Sequence, residues 1–158
     1  MKKLLAASLL AMTVSAPAFA ADFTGPRVGF NIGLADNDFL GDDTFTYGFN
    51  AGYDHAFGKL IVGGTVEYQE GEDAYGRDLS ATVRLGTKVA EQAMVYGLVG
   101  YTNQGIENTP VELDGVRLGL GAEVAFNQYL FGNVEYRYSN YEAGAELHQT
   151  LVGIGFRF

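Results

Sequence analysis

Residues 147–158 end the chain with the sequence LHQTLVGIGFRF, which alternates strictly in character from Thr150 onward. One series of alternate positions is bulky and uncharged, and the other is mostly small or polar. The bulky series is Thr150, Val152, Ile154, Phe156 and Phe158, and the other is Leu151, Gly153, Gly155 and Arg157. A period of two is the pattern of a β-strand with two chemically different faces. A strand at the end of a chain leaves an open edge, so we predict that it pairs with the first strand and closes a barrel.

Seven earlier segments show the same alternation, which makes eight strands in all. They are residues 27–35, 45–54, 60–68, 78–88, 94–102, 116–126 and 130–138. The facing of residues 94–102 stays open because both of its registers contain apolar residues. The connections alternate between long (36–44, 69–76, 103–114, 139–146) and short (55–58, 90–92, 127–128), with 127–128 the tightest. This order predicts an all-β fold, an eight-stranded antiparallel up-and-down β-barrel.

The small and polar face of these strands has the composition of a narrow barrel interior. Its glycines are Gly29, Gly33, Gly48, Gly52, Gly63, Gly119, Gly121, Gly153 and Gly155. Small side chains fit inside an eight-stranded barrel, where side chains fill the space. The mid-strand charges have both signs: Glu67, Arg84, Arg117, Glu123, Glu135, Arg137 and Arg157. Enclosed charges need partners, so we predict that these seven form a charge network inside the barrel.

The bulky apolar face would then point outward, which distinguishes a transmembrane barrel from a soluble one. Tyrosines lie at or near the predicted strand ends, where interfacial aromatic girdles occur. They are Tyr47, Tyr53, Tyr68, Tyr96, Tyr101, Tyr136 and Tyr138. A closed barrel also pairs every backbone polar group, which lipid requires. The sequence therefore predicts a transmembrane barrel rather than a secreted soluble one.

Residues 1–20 have the pattern of a secretory signal peptide. Lys2 and Lys3 precede an apolar run, and Ala18-Phe19-Ala20 is a small-x-small cleavage site, so we predict a barrel domain at 21–158. Without those two lysines, 8 basic residues face 19 acidic ones, a net charge of −11, which argues against nucleic acid as a partner. The chain has no cysteine, which excludes disulfides and thiolate metal sites.

Two stretches resemble the small bacterial outer-membrane barrels of the OmpA transmembrane-domain, OmpX/Ail and opacity-protein type. They are GAEVAFNQYLFGNVEYRYSNY at 121–141 and VGIGFRF at 152–158. The resemblance implies a location in the outer membrane, in contact with its lipid and lipopolysaccharide. Together with the signal-peptide pattern, it leads us to expect a monomer that is exported through the secretory pathway. It also implies that Val152, Ile154, Phe156 and Phe158 form the signal read by the barrel-assembly machinery.

The candidate catalytic groups lack the arrangement that catalysis needs. His55 and His148 would each require an oriented serine or carboxylate. Ser139 is similar in context to the serine of outer-membrane lipid A deacylases, but those enzymes have a histidine two residues earlier, where this chain has Arg137. We therefore expect a non-enzymatic protein without a cofactor.

The four long connections are acidic and contain no basic residue. Their acidic residues are Asp36, Asp38, Asp42, Asp43, Glu70, Glu72, Asp73, Glu107, Glu112, Asp114, Glu142 and Glu146. Carboxylates suit Ca²⁺ or Mg²⁺, but the ligand spacing of an EF-hand loop is missing, so we expect a solvated acidic surface rather than a specific metal site.

Three functions are compatible with these features. We expect a structural and cell-surface role, with the interior charges plugging the barrel by pairing. The first alternative is a narrow porin for ions or small solutes. The second is an adhesin whose acidic loops bind a surface or host ligand.

Overall fold

In the computed structural model, eight antiparallel strands form one closed barrel. The structure describes residues 21–37, 43–72, 75–106 and 112–158. The strands are β1 (Gly25–Asn37), β2 (Asp43–Phe57), β3 (Leu60–Gly71), β4 (Arg77–Ala90), β5 (Ala93–Gly105), β6 (Glu112–Ala125), β7 (Leu130–Tyr141) and β8 (Glu146–Arg157). Each strand pairs with the next, and β8 pairs with β1. The predicted barrel is confirmed, including its closure by the terminal strand.

Helical structure plays little part in the fold. A three-residue 3-10 turn, Glu142–Gly144, separates β7 from β8. No helix among the described residues is long and apolar enough to cross a membrane. The predicted signal peptide, residues 1–20, lies outside the described residues.

The strands extend further toward the long connections than the alternation predicts. Glu70 pairs with Tyr47 and Asp114 with Asn103, although both acidic residues fall in predicted loops. Beyond the apolar band both faces of a strand become polar, so hydrophobic alternation stops while backbone pairing continues. The loops at this end, called here the loop end, are therefore shorter than predicted.

The prediction that residues 127–128 form the tightest turn is wrong. Two residues link β2 to β3 and β4 to β5, whereas four residues, 126–129, link β6 to β7. The Asn127 carboxamide oxygen accepts hydrogen bonds from the backbone N–H groups of Tyr129 and Leu130, each at 2.8 Å. This side-chain cap organises a wider turn. The three turns and the first and last described residues, 21 and 158, lie at the opposite mouth, called here the turn end.

The bulky apolar face points outward, as in a membrane barrel, and the small and polar face lines the lumen. Leu120 is 70% exposed on the outside, while its strand neighbours on the other face are Gly119 and Gly121. The open facing of β5 is resolved: Met94, Tyr96 and Leu98 point inward. The prediction that Tyr96 belongs to an outer aromatic girdle is therefore wrong.

Close packing between strands explains why the lumen face needs glycine. A Cβ added at Gly52 would lie 2.4 Å from the carbonyl oxygen of Gly64, well inside van der Waals contact. A Cβ added at the outward-facing Gly97 would meet nothing closer than 3.7 Å.

We predict that Gly52→Ala lowers the free energy of unfolding by about 1–3 kcal/mol, because the backbone of β3 must shift to make room. Gly97→Ala is the matched control and should leave it nearly unchanged. The free energy of unfolding of both variants is measured by urea titration in lipid vesicles, with the gel mobility difference between folded and heated protein as the readout. Equal stability of the two variants would contradict the inward packing of Gly52.

Candidate functional site in the barrel lumen

Ten charged side chains fill the lumen in equal numbers of each sign. The five arginines are Arg27, Arg84, Arg117, Arg137 and Arg157, and the five carboxylates are Asp54, Glu67, Asp78, Glu123 and Glu135. Each is at most 6% exposed. The structure brings all seven residues of the predicted charge network into this set. Because positive and negative side chains are equal in number, each ion can have a counter-ion, which offsets part of the cost of burying charge in the lumen.

The turn-end cluster consists of Arg27, Asp54, Arg84, Glu123 and Arg157. Arg84 Nε donates to Asp54 Oδ1 at 2.8 Å and Arg84 Nη1 to Glu123 Oε2 at 3.1 Å. Arg157 Nη2 donates to Asp54 at 2.9 Å and to Glu123 at 2.7 Å. Arg27 Nη1 completes the cluster with a 3.3 Å hydrogen bond to Glu123. Both carboxylates thus serve several arginines, and the cluster has a net charge of +1.

The central cluster consists of Glu67, Glu135 and Arg137 and has a net charge of −1. Arg137 donates to Glu135 through Nε at 2.7 Å and to Glu67 through Nη2 at 3.0 Å. Both carboxylates also accept hydrogen bonds from uncharged groups. The Asn31 amide donates to Glu67 at 2.9 Å, and the Tyr96 hydroxyl donates to Glu135 at 2.6 Å. The opposite net charges of these two adjacent clusters cancel.

The loop-end cluster is the neutral pair of Arg117 and Asp78. Arg117 forms an ion pair with Asp78 and donates through Nε to the Ser139 hydroxyl at 2.9 Å. Thr102 and Tyr75 donate to Asp78 at 2.6 and 3.1 Å. Tyr75 is buried, although it lies in the connection between β3 and β4, and its ring covers the charges at this mouth.

Sequence reasoning missed Arg27, Asp54 and Asp78, which the structure adds to the network. Each stands at the first or last position of a predicted strand, where a charge is ordinarily solvent-exposed. The alternation of the strands could have identified them, because each lies on the same strand face as the inward glycines or Arg84. Extending the small and polar face to the strand ends would have included them.

Little free space remains among these side chains. The central lumen contains a cavity of about 10 Å³, lined by residues that include Arg27, Asn31, Asn50, Arg84 and Arg137. That volume is about the minimum that one water molecule needs. The described part of the lumen is therefore a packed polar core.

The candidate catalytic residues do not come together. Ser139 lies inside the lumen, bonded to Arg117, whereas His148 lies on the outer face, where its Nδ1 is 2.8 Å from the Tyr136 hydroxyl. His55 also faces outward and packs edge-on against Phe57 at 4.5 Å. Ser139 and His148 are thus separated by the barrel wall.

The outer surface at the loop end is acidic. Of the eight described Lys and Arg residues, five lie in the lumen, and Lys59 and Lys88 lie at the turn end. The eighth, Arg77, forms an exposed ion pair with Glu112. Among the described residues no group of three or more His, Asp or Glu side chains could hold a metal ion. The acidic positions Asp38, Asp42, Asp73 and Glu107 lie outside the described residues.

The predicted assembly-signal residues share one face of β8 and the residue after it. Val152, Ile154, Phe156 and Phe158 all point outward and are exposed. Phe158 ends the row at the turn end, where its backbone N–H donates to the Pro26 carbonyl oxygen at 2.9 Å.

Comparison with known proteins gives a family and a common fold. A family model described as "Outer membrane protein beta-barrel domain" matches residues 6–158. Ail, the attachment invasion locus protein of Yersinia pestis, solved in complex with the heparin analogue sucrose octasulfate, is similar with 16% identity and a TM-score of 0.63 over 85% of this chain and 97% of that chain. The N-terminal β-barrel domain of Pseudomonas aeruginosa OprF has 18% identity and a TM-score of 0.61 over 84% and 97%.

A third similar structure is Neisserial surface protein A, with 13% identity and a TM-score of 0.59 over 89% of this chain and 100% of that chain. Identities this low establish a shared fold alone. A comparison with curated protein sequences finds no match.

We predict that Glu135→Gln destabilises the barrel by about 3–5 kcal/mol, because it leaves a buried arginine with one counter-ion fewer. Glu112→Gln is the matched control: its ion pair with Arg77 is exposed, so the loss should stay below about 1 kcal/mol. Urea unfolding in lipid vesicles measures both. A cost for Glu135→Gln no larger than that for Glu112→Gln would show that the lumen pairs are solvated.

Proposed function

Because the chain belongs to the family of outer membrane protein β-barrel domains, we propose that it is a closed, non-enzymatic barrel with a structural and cell-surface role in the envelope. Its location is the bacterial outer membrane. In such barrels the short turns face the periplasm and the longer loops face outward. The turn end is then periplasmic, and the acidic loop end is extracellular.

The balanced charge network is the observation that carries this proposal. An ion crossing the lumen would need a continuous path of water, and the cavity among the charges of the central lumen has a volume of only about 10 Å³. Widening that path means separating buried ion pairs and leaving charges without their counter-ions, which is unfavourable. A network of this kind favours a packed core over the narrow porin of the first alternative.

The distribution of charge limits which ligands the cell-surface end of the protein could bind. The Ail structure contains sucrose octasulfate, a polyanion. In this chain the extracellular end is acidic, and the one described cation on its outer surface, Arg77, is already paired with Glu112. Polyanions would be repelled there, so a surface ligand of the adhesin alternative would have to be cationic or bridged by divalent ions. Lipopolysaccharide phosphates would need the same bridging.

The absence of catalysis is supported by the placement of the candidate groups. Ser139 and His148 lie on opposite sides of the barrel wall, and the Ser139 hydroxyl is engaged by Arg117 at 2.9 Å. A serine nucleophile needs a base within hydrogen-bond reach.

We also propose that Val152, Ile154, Phe156 and Phe158 act as the signal that the barrel-assembly machinery reads. Their common outward face on the terminal strand supports this role, because a partner could bind the row before the barrel closes. In the finished barrel the same row faces lipid.

We predict that the folded protein forms no stable channels in planar lipid bilayers, because the lumen is filled. The altered mobility of unheated protein on gels confirms folding in the same sample. Reproducible single-channel steps would overturn the closed-barrel proposal and make the lumen arginines and glutamates selectivity residues of a small porin.

We predict that Phe158→Ala lowers the amount of folded protein in the outer membrane of expressing cells, while refolding into detergent is unaffected. Phe57→Ala is the matched control, because Phe57 is an exposed outward aromatic at the same end but on another strand. Fractionation of cells and unheated gels measure both variants. Equal outer-membrane levels of the two variants would remove Phe158 from the assembly signal.

A further inference from the structure

Residues 21–24, called here the N-terminal segment, turn into the periplasmic mouth of the barrel instead of extending away from it. The Phe23 side chain has 0% exposure and Ala21 has 5%. Asp22 and Thr24 alternate with them and point away from the lumen or to its edge. If the predicted signal peptide is removed, Phe23 is the third residue of the mature chain. Residues so near a terminus are ordinarily poorly ordered unless they are tied down, so its complete burial calls for a specific pocket.

Hydrogen bonds hold the segment to several elements around the mouth. The Ala21 N–H donates to the Glu91 carbonyl at 3.0 Å, and the Ala21 carbonyl accepts from Lys88 Nζ at 3.2 Å. On the other side the Ala56 N–H donates to the Thr24 hydroxyl at 3.1 Å. These contacts reach β2, β4 and the turn between β4 and β5. The segment is thus fixed across the opening.

The pocket that receives Phe23 combines apolar walls with cations. The buried side chains of Ile61, Met94 and Ala125 belong to the same apolar cluster as Phe23. Lys88 Nζ lies 5.2 Å from the centre of the Phe23 ring. Such cation–π contacts are strongest when the cation is desolvated.

Arg157 connects this pocket to the turn-end cluster. Its guanidinium carbon lies 5.2 Å from the Phe23 ring centre and 5.1 Å from that of Phe131, so it sits between two aromatic rings. The same guanidinium donates to Asp54 and Glu123. Phe23 therefore covers the face of a buried ion network that would otherwise meet periplasmic water.

We propose that the periplasmic mouth is a binding site for an aromatic side chain, and that the N-terminal segment occupies it as a stopper that seals the charge network from the periplasm. This inference rests on the proposed closed barrel. The apolar walls of the pocket come from β3, β5 and β6, and its cations come from β4 and β8. The occupant comes from the same chain. Loss of Phe23 should admit water and solutes as far as Met94, while the clusters above it still block conduction.

The test uses single-cysteine labelling, since the chain has no cysteine of its own. Met94→Cys is introduced into the exported protein, which is purified from outer membranes in detergent and treated with a small charged thiol reagent. We expect no labelling beside native Phe23 and complete labelling when Phe23→Ala is added. Phe57→Ala, which removes an aromatic ring from the outside of the same end, should leave the thiol protected.

A second variant tests the site without emptying it. The chain contains no tryptophan, so Phe23→Trp introduces a unique fluorophore. We expect a blue-shifted emission that acrylamide quenches poorly in the folded protein and strongly after unfolding. Emission typical of a water-exposed indole in the folded protein would overturn the proposal.

Conductance measured on the same samples separates this inference from the proposed function. Channels in the unaltered protein together with a protected Met94→Cys thiol would overturn the closed barrel and leave the aromatic site standing. A reactive Met94→Cys thiol beside native Phe23, without channels, would overturn the stopper and leave the closed barrel. A thiol that stays protected with Phe23→Ala would also overturn the stopper.

Discussion

The pairing of β1 with β8 is the interaction on which the rest of this structure depends. It runs without a break from Arg27 opposite Arg157 to Asn37 opposite Leu147. In hydrocarbon an unpaired backbone N–H or C=O costs several kcal/mol, so an open sheet edge is not tolerated there. Once the edge is closed, each strand has one face toward lipid and one toward the lumen. Alternate residues along a strand therefore face lipid and lumen in turn.

Closure at eight strands also determines what the lumen can be. A barrel of this size has an interior that side chains must fill. Here the filling is polar, with two adjacent clusters of opposite net charge and a neutral pair near the loop end. Phe23 and Tyr75 cover the two ends. Such a core depends on the pairing of its charges, because removing one partner leaves a buried ion without a counter-ion.

The fold by itself does not determine what this protein does. Ail and the OprF barrel share this architecture at identities of 16% and 18%. The lipid-facing side is generic, since it only has to be apolar. Function must therefore be argued from particular regions of this chain, which are the lumen, packed with ion pairs, and the acidic rim at the loop end.

The sequence by itself determined the number of strands, their alternating connections and the inverted facing, because alternation is local and lipid and lumen select different residues. It also supplied seven of the ten lumen charges. The facing of Tyr96 was unreadable because both faces of β5 are apolar in sequence. Only the tertiary structure decided which charges meet, since partners such as Arg27 and Glu123 are 96 residues apart. It alone placed Phe23 in the turn-end mouth, because that pocket exists only after distant strands have closed around it.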